Sequence, residues 1–233
     1  TMIDLARDIP LFRATVDKFV TGEPDALLLV EFAGDDRDTQ LRSLKHLGEL
    51  MADLGFPGAV VEAVDPGFQK AVWEVRKSGL NIMMSMKGDG KPVSCIEDCA
   101  VELTDLAEYT SRLNELFAKY GTTGTWYAHA SVGCLHVRPV LNLKQEMEAK
   151  KLRAITEETF AIVREYKGSH SGEHGDGLVR SEFHEVMYGK RVVKAFEEIK
   201  RIFDPRDLLN PGKIVQPSRM DDRRLFRYGP DYR

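Results

Sequence analysis

The chain has 233 residues, 42% of them hydrophobic and 30% charged, the balance of a globular protein whose core needs no disulfide or metal support. Its net charge of −4 gives no basic excess to neutralise phosphates, which argues against nucleic acid as a partner. No apolar run approaches the ~20 residues that cross a bilayer, and no signal-peptide pattern is present. We therefore expect a cytoplasmic protein without a transmembrane segment, and leave attachment to a membrane surface open.

Helical and strand patterns alternate in the first half of the sequence. Apolar residues at helical spacing, and an Asp-Pro start before the third segment, predict helices over residues 8–20, 39–54 and 65–76. Apolar runs bounded by turn residues predict buried strands over residues 26–32 and 58–64.

The second half continues with a strand over residues 93–101 and a helix over residues 104–120. Two β-rich runs, 122–130 and 134–143, then form a predicted hairpin around residues 131–133. Further helices are predicted over residues 145–167 and 191–203, with a separate segment, 183–188, before the last helix. Because no GxGxxG follows a strand, an α+β sandwich of antiparallel sheet covered by helices fits better than a Rossmann sheet.

A glycine-rich stretch after the long helix, Gly172-Glu-His-Gly-Asp-Gly177, is the first candidate site. Three glycines in six residues cannot build a core, so they indicate positive φ angles or a ligand close to the backbone. Glu173 and His174 lie in this stretch, and a histidine with an ordinary pKa near neutrality suits a general base. The alternative, that Glu173 caps the next turn and His174 is a solvated loop residue, stays open.

His129 and His136 lie on the two arms of the predicted hairpin. With the turn centred on residues 132 and 133, they sit directly opposite each other, on one sheet face and about 5 Å apart. Such a pair is either structural or part of a metal site. Adding Glu173 gives two histidines and a carboxylate, a set that leaves coordination positions open for substrate.

Arginines near such a site matter if the substrate is an acid. Arg138 lies two residues after His136, hence on the same face of the strand, while Arg76 ends a predicted helix. Either guanidinium can bind a carboxylate through two hydrogen bonds, although Arg76 can equally be a helix cap. Cys95 and Cys99 have no second pair at metal-binding spacing and are interpreted as structural.

Three segments now resemble one family, the C-terminal domain of FAD-linked oxidases of the vanillyl-alcohol-oxidase type. His129-Ala-Ser-Val-Gly-Cys-Leu-His136 resembles its HxGDGNLH hairpin, Gly172 to Gly175 its EHG motif, and Phe203 to Lys213 its terminal FDPxxxLNPGK. The order and spacing of all three agree. Members include D-lactate, glycolate and D-2-hydroxyglutarate dehydrogenases, and the implied fold is ferredoxin-like antiparallel sheet covered by helices.

The resemblance implies that His129, His136 and Glu173 bind a divalent metal, zinc in the best-described members of the family, and that His174 is the catalytic base. It further implies that Arg76 and Arg138 contact the substrate and that Asn210 contacts the cofactor. The reaction so implied is oxidation of a small 2-hydroxy acid, with hydride transfer to FAD.

The hairpin interior departs from the family pattern and is similar to the longer subgroup fused to an iron–sulfur module. Arg138 replaces a small polar residue there, which favours a dicarboxylate substrate. The flavin is expected to bind mainly to an N-terminal domain of the same polypeptide, so this chain alone is expected to be inactive. We assign residues 1–25 to an interdomain segment, 26–203 to the substrate and metal domain, and 204–233 to a tail that packs on the flavin domain. Two rival hypotheses are a non-catalytic module that binds small acids or a subunit, and a metal hydrolase.

Overall fold

The structure is a computed structural model that describes residues 2–230. The chain consists of two compact units, the first ending at Ser85 and the second beginning at Met86. The predicted domain 26–203 therefore includes residues of both units. Within residues 2–230, no helix is long and apolar enough to cross a membrane.

The first unit is helical. Its helices are α1 (Met2–Asp8), α2 (Pro10–Phe19), α3 (Arg37–Asp53), α4 (Pro66–Lys77) and α5 (Gly79–Met84). The predicted helices 8–20, 39–54 and 65–76 are confirmed as α2, α3 and α4, whereas α1 and α5 were not predicted. Asp65 caps α4 as its sequence suggests, because its Oδ1 accepts the backbone N–H of Phe68 at 2.7 Å.

The two strands predicted in this unit are wrong. Residues 26–32 and 58–64 form no strand in the described part of the chain, and their apolar side chains face solvent, with Leu28 75% exposed. An apolar run adopts a strand only where a second strand accepts and donates its backbone hydrogen bonds. The described residues of the first unit offer neither run such a partner.

The second unit combines helices with short strands. Its helices are α6 (Leu106–Lys119), α7 (Glu146–Glu165), α8 (Gly177–Arg180), α9 (His184–Tyr188) and α10 (Lys190–Phe203). Its strands are β1 (Lys91–Pro92), β2 (Cys99–Ala100), β3 (Gly124–Thr125), β4 (Ala128–His129), β5 (Cys134–Leu135) and β6 (Arg138–Leu141). They form two antiparallel three-stranded sheets, in the orders β1-β6-β3 and β2-β5-β4. The predicted α+β class is confirmed.

The core of this unit lies between α6, α7 and the sheets. Apolar residues at helical spacing bury Tyr109, Leu113 and Phe117 of α6 against Ile155 and Phe160 of α7. Each fully buried side chain of this size contributes about 1.5–3 kcal/mol by leaving water. The core holds the two sheets in place beneath the candidate site.

Two details of the predicted strands need correction. Only Cys99 and Ala100 of the run 93–101 are paired as a strand in the β2-β5-β4 sheet, because Asp98 has φ 85°, which interrupts extended backbone. In the hairpin, His129 pairs with Cys134 instead of His136, whose backbone N–H donates to Tyr127 O at 2.8 Å. A register difference of two residues keeps side chains on the same face, so both histidines still share one face.

The three cysteines are free thiols inside the second unit, each at most 3% exposed. Burial raises the pKa of Cys95 to about 11 and the pKa values of Cys99 and Cys134 to about 12. All three therefore stay protonated at pH 8 and poorly nucleophilic. We expect no reaction with a thiol-specific chromogenic reagent in the native protein at pH 8 and full reaction in denaturant. Rapid labelling of the native protein would contradict this burial.

Candidate functional site

The hairpin formed by β4 and β5 brings two imidazoles together. A 3₁₀ turn over Ala130–Val132 and Gly133, whose φ is 69°, joins the two strands. The ring centroids of His129 and His136 lie 5.0 Å apart, with their planes at 90°. His136 is buried, whereas the side chain of His129 is 48% exposed. The pair therefore forms the wall of a site that opens to solvent.

The glycine-rich loop lies against the backbone of Asp98. Gly172 donates its N–H to Asp98 O at 2.7 Å, and a Cβ at Gly172 would approach that oxygen to 3.2 Å. Gly175 and Gly177 have φ values of 78° and 54°. The glycines thus provide both features that their density predicts, positive φ and a close backbone approach.

Three imidazole nitrogens converge on one carboxylate oxygen. Oε1 of Glu173 lies 3.0 Å from Nε2 of His136, 3.4 Å from Nε2 of His129 and 3.4 Å from Nε2 of His174. The ring of His174 stacks on that of His136, with centroids 4.9 Å apart and planes at 9°. The structure therefore brings these four predicted site residues together.

The side chains around His136 differ in their ability to hold a metal ion. Ligand-type atoms of Asp98, Cys134, His136 and Glu173 lie within 4.8 Å of one another. The thiol of Cys134 is protonated at neutral pH because burial raises its pKa to about 12. The carboxylate of Asp98 already accepts several hydrogen bonds, whereas Oε1 of Glu173 lies within 3.4 Å of the ring nitrogens of three histidines.

His129, His136 and Glu173 therefore form the better donor set for a divalent ion. Burial lowers the pKa of His136, which keeps its imidazole in the neutral form that binds metals. Two imidazoles and one carboxylate match the donors that zinc accepts, with a coordination position left for a ligand. The residues present thus fit the metal that the family pattern implies.

Asp98 fixes the position of the loop and was missed by the sequence analysis. Its Oδ1 accepts the backbone N–H of Glu173 at 2.9 Å, and its Oδ2 accepts that of His174 at 2.8 Å and the hydroxyl of Ser171 at 3.1 Å. Burial acts to raise the pKa of Asp98, but these hydrogen bonds outweigh it and hold the pKa below its usual value. Asp98 is fully buried and ionised beneath the two functional side chains.

Glu97 and Arg180 were missed as well. Oε1 of Glu97 lies 4.0 Å from Nδ1 of His174, and its other oxygen pairs with the guanidinium of Arg138. Arg180 is buried and donates to the carbonyl oxygens of Glu97 and Gly175. The sequence did offer one signal, the two acids Glu97 and Asp98 inside the otherwise apolar run 93–101. A buried charge requires a partner, so such a pair indicates a buried polar network.

The remaining predicted residues have different surroundings. Arg138 is 8% exposed and paired with Glu97, next to the histidines. Arg76 lies in the last turn of α4, in the first unit. Asn210 is exposed in the turn after α10, with φ 49°.

Comparison with known proteins gives a consistent result. Residues 6–214 match the family model described as FAD linked oxidases, C-terminal domain. The chain is 31% identical over 230 residues to D-2-hydroxyglutarate dehydrogenase of Escherichia coli (strain K12), which covers 94% of this chain and 22% of that protein. It is 30% identical over 144 residues to glycolate oxidase subunit GlcD of Bacillus subtilis (strain 168), covering 62% of this chain and 30% of the relative.

A third relative is D-lactate dehydrogenase of Archaeoglobus fulgidus, 28% identical over 201 residues, or 86% of this chain and 41% of that protein. The chain thus spans well under half of the length of these relatives. The family match, in contrast, covers nearly the whole chain and agrees with the three motifs and the α+β fold. The chain belongs to the family of C-terminal domains of FAD linked oxidases.

Proposed function

We propose that this chain is the substrate- and metal-binding domain of an FAD-dependent dehydrogenase that oxidises a small 2-hydroxy acid of the D-lactate or D-2-hydroxyglutarate type. The observation that carries the proposal is the convergence of three imidazole Nε2 atoms on Oε1 of Glu173, within a member of this family. The names of the relatives supply the substrate class.

In this proposal His129, His136 and Glu173 hold a divalent ion, with zinc as the first candidate. When bound, the metal lowers the pKa of a coordinated hydroxyl, and FAD accepts the electron pair of the oxidised carbon. Two of the three ligands are partly exposed, which leaves an approach for a small acid.

His174 is the proposed base that takes the proton of the substrate hydroxyl. Its Nδ1 lies on the side of Glu97, whose Oε1 is 4.0 Å away, and Nε2 is the atom proposed to accept the proton. Nε2 of His174 lies 3.4 Å from Oε1 of Glu173. It therefore faces the proposed metal site, where the substrate would bind. As His174 takes this proton, the α-hydrogen leaves with its electron pair and the product is a 2-oxo acid.

Arg76 and Arg138 are the proposed contacts of the substrate carboxylates. Because Arg138 is paired with Glu97, an incoming carboxylate has to compete with that residue for the guanidinium. A second carboxylate on the substrate would benefit most from this buried cation, which supports a dicarboxylate.

The flavin-binding partner domain is also part of the proposal, with Asn210 contacting FAD and an iron–sulfur module in the same assembly. Apolar side chains at and after the end of α10 are exposed, including Phe203 at 81% and Leu209 at 68%. Met220, farther along the proposed tail, is buried in the core of this chain. The surface proposed to pack on the flavin domain is therefore the part around residues 202–209.

The test is the reduction of the flavin's visible absorbance in the intact flavoprotein, under anaerobic conditions, by D- and L-2-hydroxy acids. We expect rapid bleaching with one enantiomeric series and a preference for D-2-hydroxyglutarate over D-lactate if Arg138 contacts a second carboxylate. Replacing His174 with Gln should lower the rate of reduction by about 10²–10⁴-fold, as expected for a lost general base.

Metal content provides a separate readout. Glu173→Ala should lose the bound ion, while His46→Gln, at an exposed histidine of α3, should keep both the ion and the rate. An unreduced flavin with every acid would contradict the proposed reaction, and full metal content in Glu173→Ala would contradict the proposed ligand set.

A further inference from the structure

A second cluster of metal-ligating side chains lies behind the glycine-rich loop. It consists of His170, Asp176 and His184, whose ligand-type atoms lie within 4.8 Å of one another. None of these residues is used by the proposed reaction. His170 and His184 are at most 2% exposed, and the side chain of Asp176 is 17% exposed.

The two imidazoles face the carboxylate of Asp176 at short range. Nε2 of His184 lies 2.8 Å from Oδ2 of Asp176, and Nε2 of His170 lies 3.3 Å from Oδ1. Both Nε2 atoms and Oδ1 nevertheless lack an aligned hydrogen-bond partner among the described residues, as does Nδ1 of His184. A buried polar atom without a partner destabilises the folded state, so such a group calls for a bound water or ion.

We propose that His170, Asp176 and His184 form a second, structural site for a divalent transition-metal ion, distinct from the one at Glu173. Two imidazoles and a carboxylate are donors that zinc and its neighbours in the periodic table accept. An ion between the three side chains would be a common partner for the two Nε2 atoms and Oδ1, which have no aligned partner among the described residues.

The protonation states of the cluster agree with this geometry. Burial lowers the pKa of His170 to about 4, so its imidazole is neutral at pH 7. Burial acts to raise the pKa of Asp176, but its close contact with His184 and the nearby His170 and Arg180 outweigh burial and hold this pKa below its usual value. The buried Arg180 nearby donates its hydrogen bonds to the carbonyls of Glu97 and Gly175, which leaves the Asp176 oxygens to the histidines.

The surroundings are those of a closed structural site. The rings of Phe160, Tyr188 and Phe196 pack around the two imidazoles, with centroids 5.1–5.7 Å from them. The hydroxyl of Tyr188 lies 3.4 Å from Nδ1 of His170, where a ligating histidine usually has a second partner. The apolar shell excludes substrate, which separates this site from the open one.

The position of the cluster gives it a consequence for the loop. Glu173 and His174 lie between His170 and Asp176 in the sequence, and His184 begins α9. An ion shared by the three side chains would therefore link both ends of the loop to the helix that follows.

The test is the number of Zn²⁺ ions bound by the purified full chain after chelator treatment and reloading, measured by elemental analysis. We expect two ions per chain in the wild type and in the exposed control His46→Gln. Glu173→Ala and His184→Gln should each retain one ion, and the double variant none. Circular dichroism shows whether each variant is folded, and Asp176→Asn serves as the second variant if His184→Gln is not.

The proposal fails if the wild type binds no ion beyond the one lost in Glu173→Ala, or if neither His184→Gln nor Asp176→Asn lowers the count. A single ion that is lost in His184→Gln but kept in Glu173→Ala would support this site and contradict the ligand set of the proposed function. Co²⁺ provides a second probe, because its visible absorption reports the coordination of each occupied site separately.

Discussion

Replacing Asp98 with Asn is expected to release the loop that carries Glu173 and His174. The carboxylate accepts both backbone N–H groups, at 2.9 and 2.8 Å, whereas an amide has one oxygen and directs its NH₂ at the second donor. Leaving one buried N–H without an acceptor costs about 1–3 kcal/mol. We expect hydrogen exchange at residues 173 and 174 to become about 10–100-fold faster, with a similar loss of metal affinity if the proposed ligand set is correct.

Asparagine is the informative substitution because Asp98 has φ 85°, a conformation that Asn tolerates and Ala does not. The matched control is Asp53→Asn, an exposed carboxylate at the end of α3 that should change neither quantity. Hydrogen exchange is independent of the proposed reaction and metal. Unchanged protection of the amides of Glu173 and His174 in Asp98→Asn would show that the loop does not depend on this carboxylate.

The role of Asp98 illustrates which part of the site the sequence could predict. His129 and His136 are close in the chain, and Glu173 and His174 are adjacent, so each pair followed from local spacing. Asp98 lies 75 residues before Glu173, and nothing in its own segment indicates which N–H groups it accepts. Contacts of this kind depend on the packing of distant segments, and only the residue type, an acid in an apolar run, gave a signal.

The same distinction applies to the fold. The longer helices of both units were predicted because their hydrogen bonds and apolar faces are local, whereas the short helices α1, α5 and α8 were missed. Strands require a partner, and the runs 26–32 and 58–64 have the composition of strands without one in the described part of their unit. The hairpin was predicted, but its register was wrong because a 3₁₀ turn over Ala130–Val132 replaced the tight turn assumed.

Gly133→Ala is expected to have the largest effect on stability among the single changes considered. A Cβ at this position would lie 1.9 Å from the carbonyl oxygen of Val101, which is backbone and cannot rotate away. The positive φ of 69° adds about 1–2 kcal/mol for any residue with a Cβ, and overpacking adds about 1–3 kcal/mol. The hairpin would have to move away from Val101, which would shift His129 and His136 relative to Glu173 and weaken metal binding if the proposed ligand set is correct.

Gly121→Ala is the matched control, because Gly121 has a similar φ of 63° but no atom within 4 Å of the added Cβ. The difference between the two variants therefore isolates the clash with Val101 from the cost of the left-handed backbone.

Unfolding by urea can be followed through Trp126 of the second unit, with Trp73 of the first unit replaced by Phe in every variant, so that only one unit contributes to the signal. We expect Gly133→Ala to lower the free energy of unfolding by about 1–3 kcal/mol more than Gly121→Ala. Equal losses in the two variants would mean that the turn relaxes away from Val101 without cost, and that the position of the hairpin does not depend on this close approach.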